Sequence, residues 1–457
     1  MDKVQSFFQS VDGQTVTICG IGHNNVPVIR QFLQAGARVV ACDQRTEEQL
    51  GDTARELKAA GAELSLGEGY LRHLDGQLIL RTPGMKPYLP ALEQARADGK
   101  TVTSEMEIFF DLCRAPIYAV TGSDGKTTTT TIIAGLLDAA GVKTFVGGNI
   151  GRALLPYVAD ITPDNAAVVE LSSFQLTGMR QSPHVAVITN VAPNHLDWHR
   201  DMQEYIDAKK NLVLYQKPGD RAVLNADNAV TAAFAADCPG EVWLFSRQHR
   251  VERGCWLNPQ RQLVVSVDGE DTVVMEAEDI RIPGEHNIEN YMAAIAAVWG
   301  SVPVEKIVRF ARAFGGVEHR CELVRERQGV RWYNDSIGSS PSRTMAGLNA
   351  FRQKVILIAG GYDKHIPYTP LGPVAAEKVQ AAVLMGATAD AIEAAIRACS
   401  DLPIYRVKDM EQAVQTADRL AGEGDIVFMS PASASFDMYK NFEERGRHFK
   451  ALVEKLP

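Results

Sequence analysis

Ile117-Tyr118-Ala119-Val120-Thr121-Gly122-Ser123-Asp124-Gly125-Lys126-Thr127-Thr128 is the stretch that decides the fold of this chain. Its first residues form an apolar run suited to a buried strand. Gly122 and Gly125 bracket a short turn. Lys126-Thr127-Thr128 then leads into an apolar, helix-like segment through Ile132, Ile133, Leu136 and Leu137. Strand, glycine turn, Lys-Thr and helix in that order form a phosphate-binding loop. Backbone N–H groups of Gly122, Ser123, Asp124 and Gly125 can close around phosphate oxygens, and the helix start adds partial positive charge. Lys126 reaches the β/γ-phosphates in such a loop, Thr127 offers a hydroxyl to Mg²⁺, and Thr128 completes the cradle. The turn is shorter than the usual phosphate loop, and an ordinary glycine turn is the plainer alternative.

Strand-like runs alternate with helix-like segments along most of the 457 residues, which predicts an α/β fold built on mainly parallel sheets. Before the phosphate loop, Thr15-Val16-Thr17-Ile18-Cys19 leads to Gly20-Ile21-Gly22, a helix near 26–33 and a strand ending at Asp43. This matches a dinucleotide-type βαβ unit with an acidic residue about 20 positions on, except that Asn25 stands where the third glycine belongs. NAD, another phosphate-bearing ligand and a purely structural turn all remain open. Leu78-Ile79-Leu80 ends at Arg81-Thr82-Pro83-Gly84, at the sheet edge where ligands of open α/β folds collect. After the loop, strands near 166–170, 185–190 and 221–225 precede an antiparallel patch near 240–282. A third set of strands, at 355–359, 382–385 and 425–429, alternates with helices near 374–380, 388–398 and 410–421. The expected domains are 1–104, 105–316 and 317–457.

Composition narrows the class. The net charge is −9, with no Lys/Arg-rich tract, which disfavours nucleic acid as a partner. No apolar run reaches the ~18 residues of a membrane span, and the first residues lack the apolar centre of a signal peptide. The seven cysteines are scattered without a Cys-x-x-Cys pair, so neither a disulfide framework nor a cysteine zinc site is indicated. A cytoplasmic, monomeric protein acting on small molecules is expected.

Other residues carry possible chemistry. Glu170 ends a strand and is placed to hold Mg²⁺ beside the loop, unless it is a solvated strand-end carboxylate. His195, in Asn190-Val-Ala-Pro-Asn-His195-Leu-Asp, is a metal-ligand candidate or a turn residue. Lys209 follows on a helix and on its own reads as a surface lysine. Asn287 and Asn290 share one helix face, where their amides suit a base edge or simply cap the helix.

Taken in order, these motifs resemble the Mur ligase superfamily, ATP-dependent amide-bond-forming enzymes of three domains. The set is the phosphate loop, Glu170-Leu-Ser-Ser-Phe-Gln, Asn190-Val-x-x-x-His195, Tyr205-x-x-Ala-Lys209, His286-Asn287-x-x-Asn290 and His319-Arg320-x-Glu322. The C-terminal runs Tyr333-Asn-Asp335-Ser, Gly360-Gly-Tyr-Asp-Lys364, Ser430-Pro-Ala-Ser-Ala-Ser435-Phe-Asp and Lys440-Asn-Phe442-Glu-Glu-Arg-Gly resemble the D-glutamate-adding branch.

The resemblance implies a Rossmann-like N-terminal domain, a central phosphate-loop ATPase-type domain and a Rossmann-like C-terminal domain. It implies a role in peptidoglycan precursor synthesis, and with it cell-wall biogenesis, cell shape and cell division. Lys126 and Thr127 would hold ATP phosphates and magnesium. Glu170, His195 and Thr127 would be Mg²⁺ ligands, joined by Lys209 as a CO₂-derived carbamate, for two ions. Asn287, Asn290, Arg320 and Asp335 would contact the nucleotide. Gly22, Asp43, Arg45, Pro83, Gly84 and Asn149 would meet UDP-N-acetylmuramoyl-L-alanine, and Ser339, Lys364, Ser435 and Phe442 would place D-glutamate. Three departures stand out: Asp124 where the family usually has Asn, Ile337-Gly-Ser339 where a lysine is common, and the loop His23-Asn24-Asn25. The rival readings are a sister or folylpolyglutamate-type ligase, an NAD-dependent oxidoreductase built on Gly20-x-Gly22, and a silent nucleotide-binding protein.

Overall fold

The strand Ile117–Thr121 is buried at every position and lies inside a nine-stranded sheet. The order of that sheet is Glu270–Glu276, Gln262–Val267, Gly254–Leu257, Glu241–Ser246, Arg221–Asn225, Val185–Ile188, Ile117–Thr121, Ala166–Glu170 and Thr144–Gly148. A strand covered on both faces must be apolar throughout, which is why this run shows no alternation. Its register places Val120 opposite Glu170 and Thr121 opposite Ile188. Glu170 is thereby delivered to the sheet edge where the glycine turn begins.

The computed structural model describes residues 2–72 and 74–457. The chain divides into two compact units, residues 1–276 with 289–308, and residues 277–288 with 309–457. The first unit holds two sheets. Besides the nine-stranded one, a five-stranded parallel sheet runs in the order Glu63–Leu66, Arg38–Asp43, Thr15–Cys19, Leu78–Leu80, Thr101–Thr103. This is the strand order of a Rossmann half with its switch point beside Thr15–Cys19. The second unit holds a six-stranded sheet, ordered Glu322–Arg327, Val330–Asn334, Ile426–Met429, Val355–Gly360, Val379–Met385, Ile404–Arg406. Only the first pair in it is antiparallel. The α/β class with mainly parallel sheets is therefore as expected.

Two local expectations change. Within the nine-stranded sheet antiparallel pairing is confined to 254–276, because Glu241–Ser246 pairs parallel with both neighbours. The helix expected near 374–380 is Leu371–Lys378, and the next strand starts directly at Val379. The β-branched Val379 favours the strand once Lys378 ends the helix.

Helix ends are fixed locally. Gly125, at φ +77, opens the helix Lys126–Ala140 and Gly141 closes it in the left-handed conformation. Asp201 caps Met202–Leu214 by accepting the Glu204 N–H. Among the described residues no helix is long and apolar enough to cross a membrane.

Candidate active site

The glycine turn exists because side chains have no room there. A Cβ on Gly122 would lie 1.9 Å from Thr189 Oγ1, and one on Gly125 would lie 2.4 Å from Asn290 Oδ1. The turn is pinned from behind. Ser123 N–H donates to Asn190 O, Asp124 N–H donates to Asn190 Oδ1 at 3.0 Å, and Ser123 Oγ meets Tyr205 Oη at 2.8 Å. Asn290 receives the Thr129 hydroxyl at 3.1 Å, so it braces the helix that the turn feeds. Asn287, on the same helix, donates to Pro283 O at 2.6 Å.

The reactive groups gather at the mouth of this turn. Lys126 Nζ donates to Gly122 O and Ser123 O at 3.0 and 2.9 Å. Thr127 Oγ1 donates to Glu170 Oε2 at 2.7 Å, while Asn149 Nδ2 donates to Glu170 Oε1 at 2.7 Å. Glu170 is buried, which removes the solvated alternative for it. Lys209 is only 1 % exposed, so it is no surface lysine. Its Nζ donates to Gly122 O at 2.8 Å and lies 3.4 Å from Thr121 Oγ1. Burial holds its ammonium well below the ordinary lysine pKa. The Lys126 charge adds to that effect, while Asp124 and Glu170 oppose it. The unprotonated amine, which that shift favours, is the form nucleophilic toward an electrophile such as CO₂.

His195 has φ +54 and sits on an exposed loop, with its ring centroid 5.0 Å from that of Phe174. Burial of part of the ring and then the Lys126 charge lower its pKa, which favours the neutral, ligating imidazole. Among the described residues no three His, Cys, Asp or Glu side chains form a metal cluster. The donors present still fit Mg²⁺, which is commonly held by one or two carboxylates with phosphate and water oxygens completing the shell. Glu170, already taking a hydroxyl from Thr127, is the carboxylate that would serve such an ion.

The first sheet presents a different corner. Ile21 N–H and Arg45 N–H donate to Asp43 at 2.7 and 2.9 Å. The Arg45 guanidinium binds both carboxylate oxygens and also donates to Ile21 O. Burial alone would raise the Asp43 pKa, but these donors outweigh it and hold it at about 2. Asn25, in the place of a third glycine, donates to Gly20 O at 2.8 Å and fixes the turn that carries exposed Gly22. Trp198 Nε1 donates to Gly84 O at 3.1 Å, which links the Pro83-Gly84 turn to the loop bearing His195. Sequence reasoning missed the buried Arg81. It donates to Met85 O at 3.2 Å and Thr177 O at 2.6 Å, and so joins the two sheets of this unit.

In the second unit, Asp335 is buried at a strand end. Ser430 Oγ donates to it at 2.7 Å and Cys321 N–H at 3.1 Å. Burial outweighs these bonds and pushes its pKa up to about 6. Arg320 lies between two residues with positive φ, His319 and Cys321. Such backbone is costly and collects at functional sites. Lys364 is exposed and its Nζ reaches Ser339 O at 3.4 Å, which brings two of the proposed D-glutamate residues together. Ser435 is buried next to the exposed Phe436, and Phe442 opens the helix Phe442–Glu454.

Comparison with known proteins adds the family. Residues 120–298 match the Mur ligase middle domain, and residues 319–433 match the Mur ligase, glutamate ligase domain. The chain is 50 % identical to the UDP-N-acetylmuramoylalanine--D-glutamate ligase of Acetivibrio thermocellus, over 99 % of both chains. It is 47 % identical to the protein of the same name from Symbiobacterium thermophilum, over 97 % of this chain and 98 % of the relative. Among solved structures, the UDP-N-acetylmuramate-alanine ligase of Thermotoga maritima aligns over 96 % of this chain and 99 % of its own. Its TM-score is 0.56 and its identity 16 %, a likeness of fold.

Proposed function

This chain belongs to the Mur ligase family, and from that premise we propose that it joins D-glutamate to UDP-N-acetylmuramoyl-L-alanine at the expense of ATP. Full-length identity of 45 to 50 % to relatives bearing the D-glutamate ligase name supports the choice of amino acid. The observation that carries the chemistry is the corner at Gly122–Gly125. Lys126, Thr127 and Lys209 converge there on one strand end, and Glu170 is held by Thr127 and Asn149.

A carboxylate does not acylate an amine because oxide is a very poor leaving group. One oxygen of the L-alanine carboxylate attacks the γ-phosphorus of ATP, ADP leaves, and an acyl phosphate forms. The amine of D-glutamate then attacks the acyl carbon. Phosphate leaves with the bridging oxygen, and the amine proton passes to solvent or a nearby base. Ser123 and Asp124 spend their N–H groups on Asn190, contrary to the cradle expected of all four turn residues. Backbone N–H groups at the start of the helix Lys126–Ala140 and the Lys126 ammonium therefore stabilise the charge on the phosphoryl group in transit. Mg²⁺ held by Glu170, Thr127 and His195 would neutralise further charge on those oxygens. Carbamylation of Lys209 by CO₂ would turn its amine into an anionic oxygen donor for a second ion.

Arg45, Gly22 and the Pro83-Gly84 turn serve the uridine diphosphate end, and Asn149 the muramoyl end beside Glu170. Because Asp43 is already committed to Arg45, its part is to orient that guanidinium. Asn287, Asn290, Arg320 and Asp335 serve the nucleotide, and Ser339, Lys364, Ser435 and Phe442 serve D-glutamate. Three domains with boundaries near 104 and 316, one to each sheet, divide these tasks.

The test is phosphate release from ATP and UDP-N-acetylmuramoyl-L-alanine with D-glutamate, L-glutamate, L-alanine, L-lysine or diaminopimelate in separate reactions. Release confined to D-glutamate, with the amide product found by mass, is the expected result. Release with a different amino acid would keep the ligase chemistry and replace the branch.

A further inference from the structure

Arg445 is fully buried on the helix Phe442–Glu454, and among the described residues no carboxylate forms an ion pair with it. It spends its donors on oxygens of two other segments. Nε donates to Ser336 Oγ at 3.0 Å, and one terminal nitrogen donates to Ser336 O at 2.8 Å. The other terminal nitrogen donates to Ser433 O at 3.1 Å and Ala434 O at 3.0 Å. Ser336 Oγ passes the connection on, donating to Phe442 O at 2.7 Å. One guanidinium thus ties a strand end, the loop before Ser435 and the first residue of its own helix.

A buried charge is seldom the most stabilising way to fill a core, since apolar side chains of similar volume often do as well or better. The guanidinium instead offers fixed, planar donor geometry, which specifies where carbonyls lie. The loop is held to an unusual degree. Ala432 takes φ +55, its N–H donates to Thr344 Oγ1 at 3.0 Å, and Ser433 Oγ lies 2.7 Å from Thr388 Oγ1. Ala434 O also receives Tyr362 N–H at 2.9 Å, and a Cβ on Gly361 would fall 2.2 Å from that oxygen. This order stops at Ser435, for Phe436 is 65 % exposed.

We propose that Arg445 is a positioning residue for the D-glutamate subsite, acting through Ser336 and the Ser433–Ala434 carbonyls to set Ser435 and Phe442; this rests on the function proposed above. Arg445 touches no substrate in this scheme. Its loss therefore weakens the use of D-glutamate and spares the other two substrates.

The experiment measures KM for each substrate and the melting temperature in the full-length enzyme. The parent protein comes first: failure to use D-glutamate would overturn the proposed function and leave Arg445 out of question. With that activity in hand, Arg445→Lys should raise KM for D-glutamate about tenfold or more, from lost charge-assisted hydrogen bonds, with the other two KM values within about twofold. Phe449→Leu, on the buried face of the same helix, should lower the melting temperature and leave KM for D-glutamate unchanged. An unchanged KM for D-glutamate in folded Arg445→Lys would overturn the proposal, as would an equal rise in Phe449→Leu. If Arg445→Lys does not fold, Ser336→Ala decides: a raised KM for D-glutamate alone supports the role, and an unchanged one refutes it.

Discussion

The turns at Gly20-Ile21-Gly22 and at Gly122–Gly125 both leave the end of a buried parallel strand and both feed a helix. At the first, the local charges are matched before any ligand arrives: Arg45 grips Asp43 with two hydrogen bonds, and backbone N–H groups take the rest of the carboxylate. At the second, the Nζ atoms of Lys126 and Lys209 both donate to Gly122 O, and burial holds the Lys209 pKa well below its ordinary value. Glycine spacing sets the backbone shape of both turns. The residues after the glycines, and the carboxylate on the neighbouring strand, decide whether the corner merely binds or also drives chemistry.

The largest expected effect breaks this contrast directly. Lys126→Ala should reduce phosphate release by about a thousandfold or more, the scale of losing a cationic clamp on a transferring phosphoryl group. Circular dichroism should show the fold intact, and undiminished turnover would place the chemistry elsewhere.

Lys209→Met comes next and has two opposite signs. Turnover should fall by about a hundredfold, as for loss of a group acting in the transition state. The melting temperature at neutral pH should rise by a few degrees, since folding no longer has to take a solvated ammonium group out of water. The folded pKa of Lys209 lies below its unfolded value, so folding costs the amine its proton between those two values. The stabilisation by Met should therefore shrink as pH climbs toward the ordinary lysine value. A lower melting temperature would show that the amine holds the loop.

A smaller effect compares two buried carboxylates shifted in opposite directions. Asp335, raised to about 6, takes up a proton as pH falls through that value. KM for ATP should then change by a few-fold across pH 6, consistent with one charge-assisted contact, and Asp335→Asn should show no such step. The smallest is Asp43→Asn, which should cost a few degrees of melting temperature at pH 7. Because the folded pKa of Asp43 is depressed to about 2, its contribution is present above the unfolded value near 4. The gap between parent and variant should close as pH falls from about 4 through about 2, as measured by denaturant titration.

The sequence made the phosphate corner legible because its signals are local: two glycines, a lysine and a threonine within a few residues of an apolar run. Glu170 and Lys209 stayed ambiguous because burial is a tertiary property. Neither a strand-end Glu nor a helical Lys announces that other elements will cover it. Arg81 and Arg445 were illegible as organising residues for another reason. Most of their partners are backbone carbonyls, some as far as 96 and 109 residues away, and a carbonyl leaves no mark on the choice of amino acid. The strand Thr144–Gly148 escaped notice because two of its five residues are glycine, which carries no strand preference.

The most direct test of carboxylate activation at the Lys126 corner follows the oxygen. UDP-N-acetylmuramoyl-L-alanine labelled with ¹⁸O in both oxygens of its carboxylate would be turned over with ATP and D-glutamate, and the phosphate analysed by mass. Passage through an acyl phosphate requires one ¹⁸O in the released phosphate and one in the new amide carbonyl. Phosphate carrying no label alongside formed amide would contradict activation of that carboxylate by ATP.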